Sequence, residues 1–237
     1  ECPDLFPLTY EGKTKWVLFV SINPGGTNGG SATQYFIGNF DGKTFTPDTM
    51  DYPLWLDYGR DNYAGVTWSN VPTADGRRLF IGWMSNWDYA NEIPTVNFRS
   101  AMTVARTLRL VHNGEHLVVA SEPVKEVESL RCEAVLLGDK MRTNTSDAIA
   151  FENLLPNNQG AYELTFTVTP NDTDSFSFAL ENAKGETIKY LFDIANKTLS
   201  VDRSKSSVAF NANFAETLIE APLTAKKSYT VRLLVDK

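Results

Sequence analysis

Thiols and imidazoles are scarce in this chain: of 237 residues, two are Cys and two are His. Cys2 and Cys132 are too few for a disulfide framework, and no Cys-x-x-Cys or Cys/His grouping has the spacing of a zinc site. No metal and no cofactor is expected. His112 and His116 flank Asn113-Gly114, a tight-turn dipeptide, and are expected as exposed hairpin residues. That argues against a triad built on imidazole. Positive charge is also in deficit. A net charge of −7 argues against a nucleic-acid partner and suits a neutral substrate, which needs no steering. No apolar run approaches the ~20 residues of a membrane-spanning helix. The chain opens on an acid, without Met or a basic, apolar leader, so a processed product or an internal portion is expected. No Trp follows Trp87; all five, Trp16, Trp55, Trp68, Trp83 and Trp87, lie within the first 87 residues. Indole and phenol faces stack on sugar C–H surfaces as well as filling β cores. The front portion is therefore expected to bear any site.

What the chain has instead is short strands and turn dipeptides. Lys15–Ile22, Thr33–Phe40, Tyr63–Trp68, Arg78–Trp83, Thr107–Val111 and His116–Ala120 read as strands. Asp41-Gly42, Asp75-Gly76 and Asn113-Gly114 supply the positive φ of hairpin turns between them. Successive antiparallel meanders of this kind fit propeller blades, with a sandwich as the alternative. Pro123–Leu130 reads as a helical turn capped by Ser121, with Pro123 near its start. Beyond it, Tyr162–Thr169, Ser175–Leu180, Thr187–Asp193, Thr198–Asp202 and Tyr229–Val235 are evenly spaced strands, as in a β-sandwich. The expected organisation is all-β: residues 1–122, a short helical linker over 123–132, and a sandwich over 133–237. Asn144-Thr145-Ser146, Asn171-Asp172-Thr173 and Asn196-Lys197-Thr198 fit the glycosylation sequon.

The candidate chemistry lies at the start. In Glu1-Cys2-Pro3-Asp4-Leu5-Phe6-Pro7 a carboxyl abuts a thiol, prolines and apolar residues. Poor solvation of its ionised form would keep it protonated near neutral pH, the state a general acid needs. The competing reading is a solvated terminal carboxylate beside its own α-ammonium.

Further stretches follow in order: Ser21-Ile22-Asn23-Pro24-Gly25-Gly26, Gln34–Gly38, Asp57-Tyr58-Gly59-Arg60-Asp61-Asn62-Tyr63-Ala64, Gly82–Ala90, Pro94-Thr95, Arg99–Thr103 and Leu199–Ser204. With Glu1-Cys2, they resemble the motifs of glycoside hydrolase family 32, the levanase, exo-inulinase and invertase-like β-fructofuranosidases. The resemblance covers nearly the whole chain, and the order is more specific than any motif alone. There are departures. Asn62 stands where Phe is common and Phe98 where Trp is common, changes expected to alter pocket shape. Ala105 stands where Pro is common before Arg106.

The resemblance implies a partial five-bladed β-propeller followed by a C-terminally incomplete β-sandwich. It implies retaining hydrolysis of β-fructosides such as levan, inulin or sucrose, with Glu1 as acid/base. Tyr63 and Trp83 would line the fructose pocket, although from the residues alone both read equally as core aromatics. Asn23 and Asn86 would bind sugar hydroxyls, where turn chemistry is the other reading. Trp87 would form a platform at the rim, and Cys2 a small buried neighbour of Glu1. Asp57 and Asp61 are expected as hydrogen-bonding partners of nearby strands and loops. The family's nucleophile lies in a Trp-x-Asn-Asp-Pro-Asn-Gly motif and its transition-state stabiliser in Arg-Asp-Pro. Both precede the Glu-Cys motif in the family, and neither occurs in this chain. An internal enzyme portion, inactive alone, is the expectation, with fructan or sucrose as substrate and the missing N-terminal portion as a possible partner. Its expected location is extracellular or periplasmic. The alternative is a noncatalytic carbohydrate-binding β-protein of the same descent.

Overall fold

The computed structural model describes residues 1–138, 150, 160–206, 210–215 and 218–236. They are organised as β-sheet with little helix, in two compact units. One combines Glu1–Val124 with Asp172–Ala225; the other combines Lys125–Asn171 with Lys226–Lys237.

The first unit opens with a sheet of β1 (Asp4–Tyr10), β2 (Lys13–Ile22), β3 (Ala32–Phe40) and β4 (Phe45–Pro47), paired in that order, with β5 (Leu54–Trp55) pairing β3. A second sheet comprises β6 (Tyr63–Thr67), β7 (Arg78–Met84), β8 (Ala101–Met102), β9 (Arg106–His112) and β10 (Leu117–Pro123). Its order is β10-β9-β7-β6, with β8 on β7. The Asp41-Gly42, Asp75-Gly76 and Asn113-Gly114 turns each join an antiparallel pair, as expected. The β1–β2 hairpin was not anticipated. It turns on Glu11 and Gly12, both at positive φ (48° and 74°), and Glu-Gly lacks the side-chain signature of Asn-Gly or Asp-Gly. Pro7 is tolerated because β1 pairs on one side only, where a missing N–H costs no ladder bond.

Alternation builds the core between these two sheets. Val17, Phe19 and Ser21 of β2 are buried, as are Tyr35 and Ile37 of β3, Phe80 of β7, and Leu108 and Leu110 of β9. Phe19 takes Phe6 edge-on at 4.9 Å and Phe80 edge-on at 5.8 Å. Burial of each such side chain contributes about 1.5–3 kcal/mol. The Val119 N–H donates to the Tyr35 hydroxyl at 2.9 Å, giving this buried phenol a partner; burial also pushes its pKa up.

β11 (Tyr162–Val168) belongs to the second unit. The first unit continues with β12 (Ser175–Glu181), β13 (Thr187–Asp193), β14 (Thr198–Asp202), α1 (Ala212–Ala215) and β15 (Ile219–Pro222). These four strands pair in chain order. Phe176 opposes Phe192 and Phe178 opposes Tyr190 in register, and both pairs stack, at 4.4 and 4.6 Å.

In the second unit β11 pairs antiparallel with β16 (Tyr229–Val235), from Tyr162↔Val235 to Val168↔Tyr229. Glu163 accepts from Arg131 at 2.5 and 2.7 Å and from Arg232 at 2.6 Å. Arg131 chiefly, with Arg232, holds the Glu163 carboxyl down at about 2 against a smaller opposing effect of burial. A depressed carboxyl stabilises the folded state above its ordinary value of 4.5, and that contribution is lost as pH falls through about 2. Glu163→Gln is therefore expected to speed hydrogen exchange of β11 and β16 amides above pH 4.5. The difference from wild type should close towards pH 2. A pH-independent difference would contradict this account.

Two local expectations are corrected. The turn after β10 is a 3₁₀ helix, Lys125–Leu130. Pro123 is the last residue of β10, and Ser121, also in that strand, accepts from Arg106 at 3.4 Å instead of capping. His116 is half-buried, with its ring stacked on Tyr52 at 4.0 Å; His112 is exposed. The Asn144 sequon lies outside the described residues, whereas Asn171 and Asn196 are exposed.

Candidate active site

Two bulges set the centre of the site. The Glu1 nitrogen donates to the Ser21 carbonyl at 2.6 Å, and the Ser21 N–H returns a bond to the Glu1 carbonyl at 2.8 Å. Asp4 opposes Phe19, so Cys2 and Pro3 together face the single residue Val20. Cys2 takes a positive φ of 42°. In β6, Tyr63 opposes Trp83 and Val66 opposes Ile81, leaving Ala64 and Gly65 against Gly82. Ala64 has φ 51°. Gly65 is required there, since a Cβ would stand 2.2 Å from the Phe80 ring. A bulge bends its strand and re-aims neighbouring side chains. Here the residues beside the two bulges meet: the Tyr63 hydroxyl donates to Glu1 Oε2. Burial, then the bond and charge of Glu1, then Cys2, push the Tyr63 phenol up to about 12. Tyr63 is thus a protonated donor at any ordinary pH.

The aromatic wall continues from this pair. Trp83 lies 6.2 Å from Tyr63 with rings at 60°, and Trp87 lies 5.0 Å from Trp83 at 54°. Trp87 is 48% exposed, so part of its side chain remains accessible at the end of this wall. Glu1 and Cys2 are both exposed. This corrects the expectation of a buried Cys2 and a poorly solvated Glu1. The bulge, with Cys2 at positive φ, lies at the strand's end, outside the core.

The two asparagines part company. Asn23 is exposed, and its Oδ1 accepts from the Ser31 hydroxyl at 3.1 Å. That hydroxyl accepts in turn from the backbone N–H of Trp87 at 3.1 Å, so one buried Ser links Asn23 to the backbone that carries the aromatic wall. Asn86 is fully buried. Its amide donates to the carbonyls of Gly29, Ser31 and Arg60 at 3.3, 3.4 and 2.9 Å. Its Oδ1 accepts from the Ser31 and Asp88 N–H groups at 3.2 and 3.0 Å. An amide with no exposed atom has no face for a sugar hydroxyl, so the expected sugar contact is corrected: Asn86 ties three loops together. Gly30, at φ +64°, belongs to this device, because a Cβ there would meet Asn86 Oδ1 at 2.0 Å.

Asp57 and Asp61 hold structure. Asp57 accepts from Arg106 at 2.7 Å, Asn62 at 3.1 Å and the Gly59 N–H at 2.7 Å. Asp61 accepts from the Tyr89 hydroxyl at 2.6 Å and from Arg203 at 3.3 Å. Arg203 also lies over the Phe214 ring at 3.7 Å. Arg60 joins Asp88 to the Asn213 carbonyl. These contacts carry β14 and the α1 region onto the loops that bear Trp87. Arg203, Ser31 and Asp4 were not singled out from the sequence. Arg203 sits in the Leu199–Ser204 stretch, but nothing local signals a partner 142 residues away. Among the described residues, no group of three or more His, Cys, Asp or Glu is arranged to hold a metal.

The site thus joins the Glu1 carboxyl, the phenol that aims it and two neighbouring indoles at one edge of the first two sheets. Family comparison gives this geometry its context. The family model of the glycosyl hydrolases family 32 N-terminal domain matches residues 1–121, and that of the family 32 C-terminal domain matches residues 126–237. The chain belongs to glycosyl hydrolase family 32. It is 40% identical over 246 aligned positions to the levanase of Bacillus subtilis, covering all of this chain and 36% of that protein. It is 34% identical to the extracellular exo-inulinase of Aspergillus niger, over 99% of this chain and 45% of that enzyme. The chain thus spans between about a third and a half of these two relatives. Among solved structures, the exo-inulinase of Aspergillus awamori superposes with a TM-score of 0.73 at 28% identity, covering 100% of this chain and 47% of that one. The β-fructofuranosidase of Schwanniomyces occidentalis complexed with fructosyl-erythritol also gives 0.73, at 29% identity, covering 100% and 49%.

Proposed function

We propose that this family 32 chain is the part of a β-fructoside-hydrolysing enzyme that holds its acid/base carboxylate and one wall of its fructose pocket. The observation that carries this reading is the hydrogen bond of Tyr63 to Glu1 beside Trp83 and Trp87. Glu1 gives its proton to the glycosidic oxygen as the bond to fructose breaks, then takes one from the water that releases fructose. Tyr63 keeps the carboxylate aimed. Trp83 and Trp87 supply apolar faces to the sugar, and Asn23 can reach a hydroxyl. Asn86 acts behind them by holding the loops. The first two sheets are blades of a propeller around whose axis these side chains gather, residues 123–132 are a linker, and the strands beyond 133 form a sandwich. The substrates are levan, inulin or sucrose, and the setting is extracellular or periplasmic.

A retaining hydrolase needs a second carboxylate as nucleophile, and the Asn-Asp-Pro motif that resemblance assigns to it is absent from this sequence. The purified 237-residue chain is therefore expected to release no fructose from sucrose, inulin or levan. A chimera placing this chain in the matching part of the Bacillus subtilis levanase, which keeps that enzyme's own preceding segment, is expected to release it. Fructose release by the chain alone would end the division of labour proposed here. A folded chimera that binds fructan without cleaving it would favour the noncatalytic binding reading.

A further inference from the structure

Glu1 and Tyr63 meet across two sheets that no ladder joins at this point. The strand following Glu1, β1, pairs with β2, and β6 pairs with β7. Each side of the meeting carries a bulge and a non-glycine residue at positive φ, Cys2 and Ala64. Such backbone is strained and persists only where neighbouring contacts hold it. Beside the Glu1–Ser21 bonds, a second contact lies on the far side of both bulges. Asp4 Oδ2 accepts from the Thr67 N–H and from the Thr67 hydroxyl, each at 2.7 Å. The same hydroxyl accepts from Arg78 at 3.4 Å, and Arg78 also donates to the Trp68 carbonyl at 3.3 Å and lies over the Phe6 ring at 5.0 Å. The run Arg78 to Thr67 to Asp4 polarises each bond in one direction, which strengthens it. Thr67 is the end of β6 and Asp4 the start of β1.

We propose that Asp4 is a positioning residue for the acid/base: its bonds to Thr67 tie β1 to β6 and so fix the Glu1 carboxylate against the Tyr63 hydroxyl. The proposal rests on the acid/base reading of Glu1, but its test needs no turnover. The Glu1–Ser21 bonds and the Asp4–Phe19 register hold this span on β2; without the tie to Thr67 it can shift relative to β6, and Glu1 withdraws from Tyr63. Asp4 touches no substrate in this account; it acts through Glu1.

The test is the ionisation of Tyr63 in the 237-residue chain, followed by NMR of tyrosine labelled with ¹³C at Cζ and assigned with Tyr63→Phe. The wild-type midpoint is expected near the value of about 12 that burial and Glu1 impose. Asp4→Ala is expected to lower it by about one pH unit, as the phenol loses its carboxylate and gains solvent. Asp4→Asn keeps an oxygen acceptor for both Thr67 donors and is expected to retain most of the shift. A merely structural Asp4 would alter the unfolding midpoint and leave the Tyr63 titration where it was. Glu1→Gln shows how much of the shift belongs to the Glu1 charge. A folded Asp4→Ala chain with Tyr63 at its wild-type midpoint would overturn the proposal. If Asp4→Ala does not fold, Thr67→Val decides: it keeps the N–H bond, so a partial fall is expected and an unchanged midpoint overturns the tie. Because these readouts are spectroscopic, a chimera that fails to cleave fructan would count against the enzymatic reading while leaving this one standing or falling by itself.

Discussion

In the levanase chimera, Glu1→Gln is expected to lower turnover of sucrose and fructan by roughly two to four powers of ten, the ordinary worth of general acid/base catalysis. The substitution keeps the volume and an oxygen acceptor for Tyr63 but removes the transferable proton. Its effect should depend on the leaving group. A sugar alkoxide needs full protonation as the bond breaks, so natural substrates should suffer most. An aryl β-fructoside, whose leaving group is stable as an anion, should retain far more of its rate in the bond-breaking step. Tyr63→Phe should cost less than Glu1→Gln, because it removes the aim of the carboxylate and not the carboxylate. Steady-state kinetics on the two substrate classes make the comparison. A small, uniform loss across leaving groups would give Glu1 a structural role, and the acid/base reading would fail.

Asn86→Ala is expected to be the most destabilising single change in the loops behind the site. Asn86 is fully buried and serves five backbone groups: the carbonyls of Gly29, Ser31 and Arg60 and the N–H groups of Ser31 and Asp88. Each group left unpaired away from water costs about 1–3 kcal/mol. Relaxation and water entry recover part of that, so a net loss of about 3–5 kcal/mol is expected. Chemical unfolding followed by tryptophan fluorescence suits the measurement, since all five Trp residues lie in the first unit. Trp87 emission should change even where the chain stays folded, because its backbone N–H rests on Ser31, which Asn86 holds in place. Gly30→Ala should act on the same device, through a Cβ 2.0 Å from Asn86 Oδ1 and a φ of +64°. A loss below about 1 kcal/mol for Asn86→Ala, within the usual range of surface changes, would show that the loops do not depend on it.

The all-β class and three of the hairpins were legible in the chain because their causes are local. Alternation over a few residues and an Asp-Gly or Asn-Gly pair carry their own geometry. The family was legible for a different reason: short motifs in a set order are specific as a set even when each alone is weak. Glu1, Tyr63, Trp83 and Trp87 were named on that ground, and the structure sets them side by side. Where a residue's role depends on partners distant in sequence, the chain is silent. The same Asn can line a pocket or lie buried under it, and the packing of three loops decided that Asn86 is buried. Cys2 looks like a core residue among Pro, Leu and Phe, yet the bulge that turns Glu1 towards Tyr63 leaves it exposed. Asp4 reads as one more surface acid until β6, arriving some sixty residues later, brings Thr67 to it. Arg203 reaches Asp61 across 142 residues. Residue chemistry determined what groups were available. Tertiary structure alone decided which groups meet, because hydrogen bonds and burial are properties of neighbours that long-range folding supplies.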